Sequence, residues 1–466
     1  MISLSVLVVF ELVIFIIGIL IHPALMILIP LGSIMLWWLI KNPAIALMIM
    51  SLTAIIKGYL ITYVPIFEII DITLVTTIII WLGLIKMALE GKWEIPDEIK
   101  TPVFLFLVFG LLLIVSLFYS PSPVYGLRKI IRFNTFAFTM FITPIIVIKS
   151  SADSKRLLTM FKSLLVVIIG IMLFQFVYFL TKGDFAVVLA FWNRISIPGA
   201  NPIQVSRYLA IGAGMMITIL IRNRQGQSLH HLVMLSAILL SIILSGSRGP
   251  LVSVVFGILV YALLFEKDHI KRIVGFGFLA ITLVTILLLL LPEDLTERFL
   301  NIAQGSVVLT QQGIRRVSTI MTRFEFWSMS IQTWFSSIYN FVFGLGAGGF
   351  SSLFIWRDWH WYPHNLFFET MAELGCIGLL IGSAFIKKSF EKIKAGLHLG
   401  SFTDHTALWV SGTIVMFFAA QFSGDFNDNR VLWMLIGITI ASTHVDSLER
   451  LRIVQNNSVK MVNVIE

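Results

Sequence analysis

The stretch "WYPHNLFFETMAELGCIGLL", Trp361 to Leu380, has the apolar content of a membrane span from Asn365 onward, and a Pro-His-Asn sequence stands at its entrance. Similar apolar runs recur along the 466 residues, of which 58% are hydrophobic and only 13% charged. A helix needs about 20 apolar residues to cross a bilayer, where it satisfies its own backbone hydrogen bonds. The sequence therefore predicts an all-α, polytopic helical membrane protein, because the runs are too long for the strands of a membrane β-barrel.

Apolar periodicity predicts about fourteen transmembrane helices, or about 12 to 14 if the shorter runs are discounted. The predicted spans cover residues 5–21, 24–40, 44–62, 66–86, 102–118, 134–148, 163–180, 208–221, 232–244, 250–265, 273–291, 365–386, 406–422 and 430–445. The first run lacks a basic segment and a cleavage site, so we expect a span rather than a removed signal peptide. The lone Cys376 lies inside a span and excludes an internal disulfide and a cysteine metal cluster.

The pattern of spans predicts a tail over 446–466 after the last span, and the basic residues of the loops predict its location. Lysine-rich loops lie on the side that we assign to the cytoplasm, so both termini are expected there. The longest loop, residues 292–363, is then extracytoplasmic, and its aromatic residues recur at helical spacing, which predicts a helix at the outer leaflet. That helix ends in "GLGAGGF", a glycine-rich turn from Gly344 to Phe350.

Arginine predominates among the basic residues of the predicted outer side. These arginines are Arg128, Arg132, Arg194, Arg207, Arg248, Arg298, Arg315, Arg316, Arg323, Arg357 and Arg430. A guanidinium binds phosphate through two parallel hydrogen bonds and remains charged near lipid. The set therefore indicates a phosphorylated, anionic ligand, although any single arginine could instead reach toward lipid head groups.

Two of these arginines stand in distinctive surroundings. Arg248 lies in the turn "SGSRGP", where open backbone N–H groups could bind an anion, although the turn could also be a plain hairpin. Arg323 and Trp327 stand four residues apart and hence on one helical face. Such a pair is typical of carbohydrate sites and also of interface anchoring.

His364 is the candidate base. A histidine at the outer surface is expected to have a pKa near neutrality, which suits proton transfer from a sugar hydroxyl, although most single interfacial histidines are inert. His360 precedes it by four residues, but Pro363 interrupts any continuous helix through both, so we expect no metal site there and a milder effect of substitution. In the last outer loop, "SGDFNDNR", Asp425 and Arg430 are further candidates.

The order "SGSRG", "RFEFW", "GLGAGGF" and "HNLFFETMAELGCIGLL" resembles the bacterial O-antigen ligase and O-antigen polymerase superfamily, whose members are integral-membrane glycosyltransferases of surface polysaccharide assembly. The resemblance is strongest from about Pro198 to Ile440, so it implies an amino-terminal transmembrane bundle over 1–197, a ligase- or polymerase-like catalytic region over 198–445 that includes the loop 292–363, and a cytoplasmic tail over 446–466. It implies transfer of a glycan from undecaprenyl pyrophosphate to a sugar hydroxyl at the outer face of the cytoplasmic membrane, in polymerisation or ligation of O-antigen, teichuronic acid or exopolysaccharide.

The resemblance also implies roles for individual residues. Arg248 and Arg323 would hold the pyrophosphate, and His364 would activate or orient the acceptor hydroxyl. Substrate contacts are expected from Arg207, Trp327, Asn365, Asp425 and Arg430. No cofactor or metal is implied, and the expected partners are the lipid-linked donor, a glycan or glycolipid acceptor, the lipid bilayer and other polysaccharide-assembly proteins, without nucleic acid.

Other functions remain open at this stage. The motifs do not distinguish a ligase from a polymerase. A lipid-linked oligosaccharide flippase would also be polytopic and bind pyrophosphate, but transporters tend to have internal repeats and helices interrupted at the membrane midplane. The sequence has no evident repeat, and its candidate polar residues gather at one face, which favours an enzyme. A scaffold without catalysis is the third alternative.

Overall fold

Helices dominate the computed structural model, which describes residues 25–182, 194–222, 228–267, 270–290, 305–310, 313–355, 358–398 and 402–465. In chain order the α-helices are α1 Leu25–Lys41, α2 Pro43–Tyr63, α3 Ile72–Leu89, α4 Asp97–Ser116, α5 Pro123–Arg132, α6 Phe138–Val147, α7 Ser151–Lys182, α8 Pro202–Arg222, α9 Ser228–Leu244, α10 Arg248–Phe265, α11 Ile270–Leu290, α12 Thr319–Trp334, α13 Ile338–Phe343, α14 Leu366–His398, α15 Asp404–Ala419 and α16 Arg430–Ile465. A π-helical turn, Phe133–Ala137, joins α5 to α6.

Within the described residues, nine helices are long and apolar enough to cross a membrane. The all-α polytopic fold is therefore confirmed. Each predicted span from 24–40 onward overlaps one helix, whereas the span predicted over 5–21 lies outside the described residues. The count of about fourteen spans stays a prediction.

The amino- and carboxyl-terminal parts of the chain share one hydrophobic core. Helix α4 packs on α14, α6 packs on α16, and α8 packs between α10 and α15. Among the nine candidate spans, α8 and α16 are the most enclosed, since 83% of the apolar stretch of each is buried. The division at residue 197 consequently stays a prediction about function, since the packing is continuous across it.

The long outer loop contains more than the predicted helix. Its aromatic segment forms α12 and the short α13, as the helical spacing indicated. Ahead of α12 an antiparallel hairpin, β1 Gly305–Thr310 and β2 Gly313–Ser318, pairs Gly305 with Ser318. The sequence analysis did not predict these strands, because it assigned the whole fold to helices.

Helix α14 is interrupted where the glycine-rich turn meets it. Gly375 has φ 59° and ψ −154°, which breaks the helical ladder. The turn supplies replacements, because Leu345 N donates to Ala372 O at 2.9 Å and Gly346 N donates to Glu373 O at 2.8 Å. A Cβ on Gly375 would lie 2.5 Å from Val342 O, so only glycine permits this approach. The outer loop is thus fastened to the helix that begins just after His364.

Candidate functional site

Four arginines converge on one polar cavity of about 550 Å³ at the predicted outer end of the bundle. Arg207 comes from α8, Arg248 opens α10, Arg323 lies on α12, and Arg194 precedes α8. No carboxylate occurs among the described residues that line this cavity. The structure therefore brings together three arginines that the sequence predicted, on separate elements, and adds Arg194.

Arg207 is held with part of its guanidinium unpaired. The side chain is buried, and Nη2 donates to Ser423 O at 2.5 Å and to Asn429 Oδ1. Its Nε and Nη1 atoms are buried without a hydrogen-bond partner among the described residues. A buried hydrogen-bond donor without an acceptor costs free energy, and the cost is larger for a charged group. A fixed cation with two open donors is the arrangement that an anionic ligand completes.

Arg323 lies close enough to Arg248 for the two charges to repel. Burial lowers the pKa of Arg323, Tyr362 opposes that change, and the charge of Arg248 adds to it. A guanidinium remains protonated even so, because its ordinary pKa exceeds 12. Mutual repulsion of cations in one cavity favours an anion between them.

The Pro-His-Asn entrance is a turn that the side chains of Trp327 and Asn365 hold. His364 has φ 57°, in the left-handed region that few non-glycine residues adopt. Trp327 Nε1 donates to Pro363 O at 3.0 Å, and Asn365 Oδ1 accepts from the N–H groups of Phe367 and Phe368 at 2.8 and 3.0 Å. Asn365 is thus the amino-terminal cap of α14. Backbone strain of this kind persists where the surroundings enforce it, often at functional sites.

The ring of His364 is enclosed rather than exposed. It lies parallel to the Phe326 ring at 6.1 Å and tilted against Tyr362 at 4.3 Å. Its Nδ1 atom is buried without a hydrogen-bond partner among the described residues. Burial, followed by the positive charges of Arg323 and His360, lowers the pKa of His364 to about 4. The expectation of a pKa near neutrality was therefore wrong, because it assumed a surface position.

His360, which also contacts Tyr362, pairs with a buried carboxylate. His360 Nε2 lies 3.3 Å from Asp425 Oδ2, which also accepts from Tyr125 OH at 3.2 Å. Asp425 Oδ1 accepts from the N–H groups of Asn427 and Asp428, both at 2.8 Å. Although burial opposes both changes, this pairing raises the pKa of His360 and holds the pKa of Asp425 well below its usual range.

Three side chains of this region are spaced as the ligands of a metal ion would be. His360, Asp425 and Asp428 each offer one atom, all within 4.8 Å of one another. However, both oxygens of Asp425 already accept hydrogen bonds, and the positive charges of Arg207 and Arg430 face Asp428. Those cations oppose a metal ion electrostatically. The absence of a metal from the function stays a prediction.

A buried ion cluster supports this region from below. Lys129 Nζ lies 2.5 Å from Glu369 Oε1 and 2.6 Å from Glu373 Oε2, and all three side chains have 0% exposure. Glu373 Oε2 also accepts from Gly348 N at 3.0 Å. The cluster therefore ties α5 to both α14 and the glycine-rich turn.

The remaining predicted residues occupy different places. Trp327 lines the arginine cavity and stacks on Phe368 at 5.3 Å. Asp425 pairs with His360 and not with His364. Arg430 donates to Thr73 Oγ1 at 3.5 Å and does not line the cavity. Substrate contact by these residues and by Asn365 stays a prediction.

Sequence reasoning missed several members of the site. Lys129 is 244 positions from Glu373, and no local pattern announces that pair. The Glu369 and Glu373 spacing does place two carboxylates on one helical face, a signal that a buried cation lies opposite. His360 was set aside because of Pro363, although its partner comes from a distant loop.

A second cavity, apolar and of about 540 Å³, adjoins the first across the end of α15. Phe418 and Gln421 line this cavity, whereas Phe422 and Ser423 line the arginine cavity. Its walls come mainly from α10, α14, α15 and α16, and extend along α14 from Leu366 to Ile393.

Comparison with protein families gives a match to part of the chain. Residues 232–382 match the family model described as O-antigen ligase. No curated protein matches the chain. The matched segment contains Arg248, Arg323, Trp327 and His364, so the family region coincides with one wall of the arginine cavity and the turn beside it. The match supports the O-antigen ligase and polymerase superfamily that the motifs of this membrane protein predicted.

Proposed function

We propose that this protein is a glycosyltransferase that moves a glycan from undecaprenyl pyrophosphate to a sugar hydroxyl at the outer face of the bacterial cytoplasmic membrane. The observation that carries the proposal is the cavity with four arginines and no carboxylate among its described lining residues. A pyrophosphate bears several negative charges and accepts the paired hydrogen bonds that guanidinium groups donate. The two open donors of Arg207 suit such an anion.

The apolar cavity supports a lipid-linked donor in particular. Its walls are mostly aromatic and aliphatic, and they run along α14 below the level of the arginines. Such a surface suits a polyprenyl chain, because the chain keeps an apolar environment when it moves from the lipid into the cavity. Head group and tail would thus occupy adjoining cavities on the two sides of the end of α15.

The arginines would also assist departure of the leaving group. Negative charge develops on the pyrophosphate as the bond to the sugar breaks, and prearranged cations stabilise that charge. Arg323 and Arg248 come from different elements, so the outer loop must be docked before both can act. Binding of the donor and catalysis would therefore depend on the same cavity.

The sequence left two roles open for His364, to activate or to orient the acceptor. Its surroundings favour the orienting role. A pKa of about 4 keeps the ring neutral at physiological pH and makes it a weak base. Its unpartnered Nδ1 is able to hydrogen-bond a substrate group, and Phe326 and Tyr362 fix the ring. The acceptor sugar would be positioned by this ring at the edge of the arginine cavity.

A transfer assay tests the proposal directly. Purified protein in lipid nanodiscs is given an undecaprenyl-pyrophosphate-linked repeat unit, either alone or with a glycolipid acceptor. Chain growth from the donor alone indicates a polymerase, and glycan transfer to the added acceptor indicates a ligase. The proposal fails if neither product forms while the same preparation, in liposomes, moves the donor across the bilayer, because that result identifies a flippase.

A further inference from the structure

We propose that His360, held by Asp425, is the base that takes the proton from the acceptor hydroxyl. This inference rests on the transfer reaction proposed above and assigns one step of it. It gives His364 and His360 different tasks, although the two rings flank the same tyrosine, Tyr362, at 4.3 and 4.7 Å.

The geometry of the pair defines which nitrogen can act. Asp425 is buried, and its Oδ1 accepts two backbone N–H groups, so the carboxylate is fixed and ionised. A carboxylate only accepts hydrogen bonds, so the proton between the two residues belongs to His360 Nε2. In the neutral ring Nδ1 is then unprotonated and available to accept a proton. A carboxylate that fixes a histidine tautomer in this way also stabilises the imidazolium that forms.

Accessibility distinguishes the two histidines further. The His360 side chain is 45% exposed, so a sugar arriving from the aqueous side can reach it. Its ring packs edge-on against Tyr125 at 5.6 Å, which restricts its orientation. His364, by contrast, is enclosed and faces Arg323. A proton is accepted more readily beside a carboxylate than beside a guanidinium.

The charges around His360 favour proton uptake as a whole. The titratable and charged groups that face it are Asp425, Asp428, Lys129, Tyr125, Tyr362 and His364. Asp425 and Asp428 favour the imidazolium, and Lys129 opposes it, but Lys129 is paired with two glutamates. The pKa of His360 is raised from its ordinary value, so the neutral ring is a stronger base than an unperturbed histidine.

The step balances as follows. The acceptor oxygen forms a bond to the anomeric carbon of the donor while its hydrogen passes to His360 Nδ1. The bond from that carbon to the pyrophosphate oxygen breaks, and its electron pair leaves with the pyrophosphate, which the arginines hold. Asp425 stabilises the resulting imidazolium, and the proton is later released to water.

The test compares kcat against pH for four variants in the transfer assay. For the wild type, kcat should rise with pH as His360 loses its proton, which gives the pH profile a rising limb. His360→Gln should lower kcat by about 10²- to 10⁴-fold and abolish that limb, with unchanged affinity for undecaprenyl pyrophosphate. Asp425→Asn should lower kcat comparably, because an amide can donate to Nε2 and move the ring proton to Nδ1. His364→Gln should keep the limb, and His444→Gln, at the opposite end of the bundle beside Glu98, should keep both rate and limb.

A rescue experiment excludes a merely structural effect. Added imidazole should restore turnover to His360→Gly in proportion to its concentration and should not do so for His364→Gly. The inference is overturned if His360→Gln retains the rate and limb of the wild type, or if the limb is lost in His364→Gln instead. Inhibition by a chelator that Mn²⁺ or Zn²⁺ reverses would overturn it in favour of a metal site at the same residues. An inactive wild-type protein would instead refute the proposed transfer itself.

Discussion

The site has two halves of opposite charge, and Tyr362 contacts the histidine of each. In the cationic half Arg207, Arg248 and Arg323 line a cavity near His364, whose pKa is lowered. In the acidic half Asp425 and Asp428 lie near His360, whose pKa is raised. The two histidines are four residues apart in one turn, so local sequence does not set their behaviour. Their partners come from distant elements, and tertiary electrostatics decides which ring can carry a proton.

The acidic half should depend most on its buried cation. Lys129→Met leaves Glu369 and Glu373 together without a counter-charge, and removing one partner of a buried ion pair costs about 3–5 kcal/mol. We expect a large fall in the thermal unfolding midpoint in detergent. Lys388→Met removes the exposed pair with Glu391 and should cost less than about 1 kcal/mol. Equal midpoints for both variants would show that the buried cluster contributes no special stability.

Activity should depend on the guanidinium geometry of the cationic half as well as on its charge. Arg323→Lys and Arg248→Lys keep the charge but lose the paired hydrogen bonds, so kcat/KM for the lipid-linked donor should fall roughly 10²- to 10³-fold. Expression and unfolding midpoint should be retained. Arg128→Lys, an exposed arginine outside the cavity, is the matched control and should be active. Activity of the wild-type level in both cavity variants would rule out bidentate pyrophosphate binding.

The two histidines should also affect stability in opposite directions with pH. The ordinary pKa of 6.5 for His364 falls to about 4 in the folded state, so the unfolded chain binds more protons between these values. Stability should therefore decrease as the pH falls from 6.5 toward 4. His360, with a raised pKa, stabilises fully below 6.5 and loses that contribution as the pH rises through its folded value.

Thermal unfolding across this pH range separates the two contributions. His364→Gln should reduce the fall in the unfolding midpoint between pH 6.5 and 4, whereas His360→Gln should reduce the fall in the midpoint above pH 6.5. The comparison between the halves breaks down if the two variants change the same side of the profile.

The smallest expected effect concerns the support of the turn between the halves. Trp327→Phe removes the hydrogen bond to Pro363 O, worth about 0.5–1.5 kcal/mol, and keeps the aromatic packing on Phe368. We expect kcat to fall by about tenfold or less, with little change in donor affinity. Loss of donor affinity with unchanged kcat would instead assign Trp327 to substrate binding, as the sequence predicted.

Much of the fold followed from hydropathy, because lipid requires long apolar helices wherever the chain crosses it. Lys57 lies near one end of a predicted span and Glu68 and Asp71 near the same end of the next, which predicts that the lysine neutralises one of them; its Nζ indeed lies 3.1 Å from Asp71 Oδ2. Arg248, Arg323 and His364 could be named because motifs surround them. Their convergence could not be predicted, since it depends on how α8, α10 and α12 pack.

The missed parts share a physical cause. The pKa of His364 depends on burial, which its predicted position at the end of a loop did not indicate. The base proposed at His360 depends on Asp425, 65 positions away. The capping role of Asn365 was available from its position before α14, where asparagine is a preferred cap.

The break at Gly375 bears on the order in which the protein can mature. Leu345 N and Gly346 N donate to the carbonyl groups of Ala372 and Glu373. If the loop is extracytoplasmic, as the sequence predicts, these bonds form only after it has been exported. During synthesis α14 follows the loop, and until the two meet the carbonyl groups near the break would lack a partner in lipid, which is costly. In that topology, membrane insertion of α14 and export of the loop would be coupled steps.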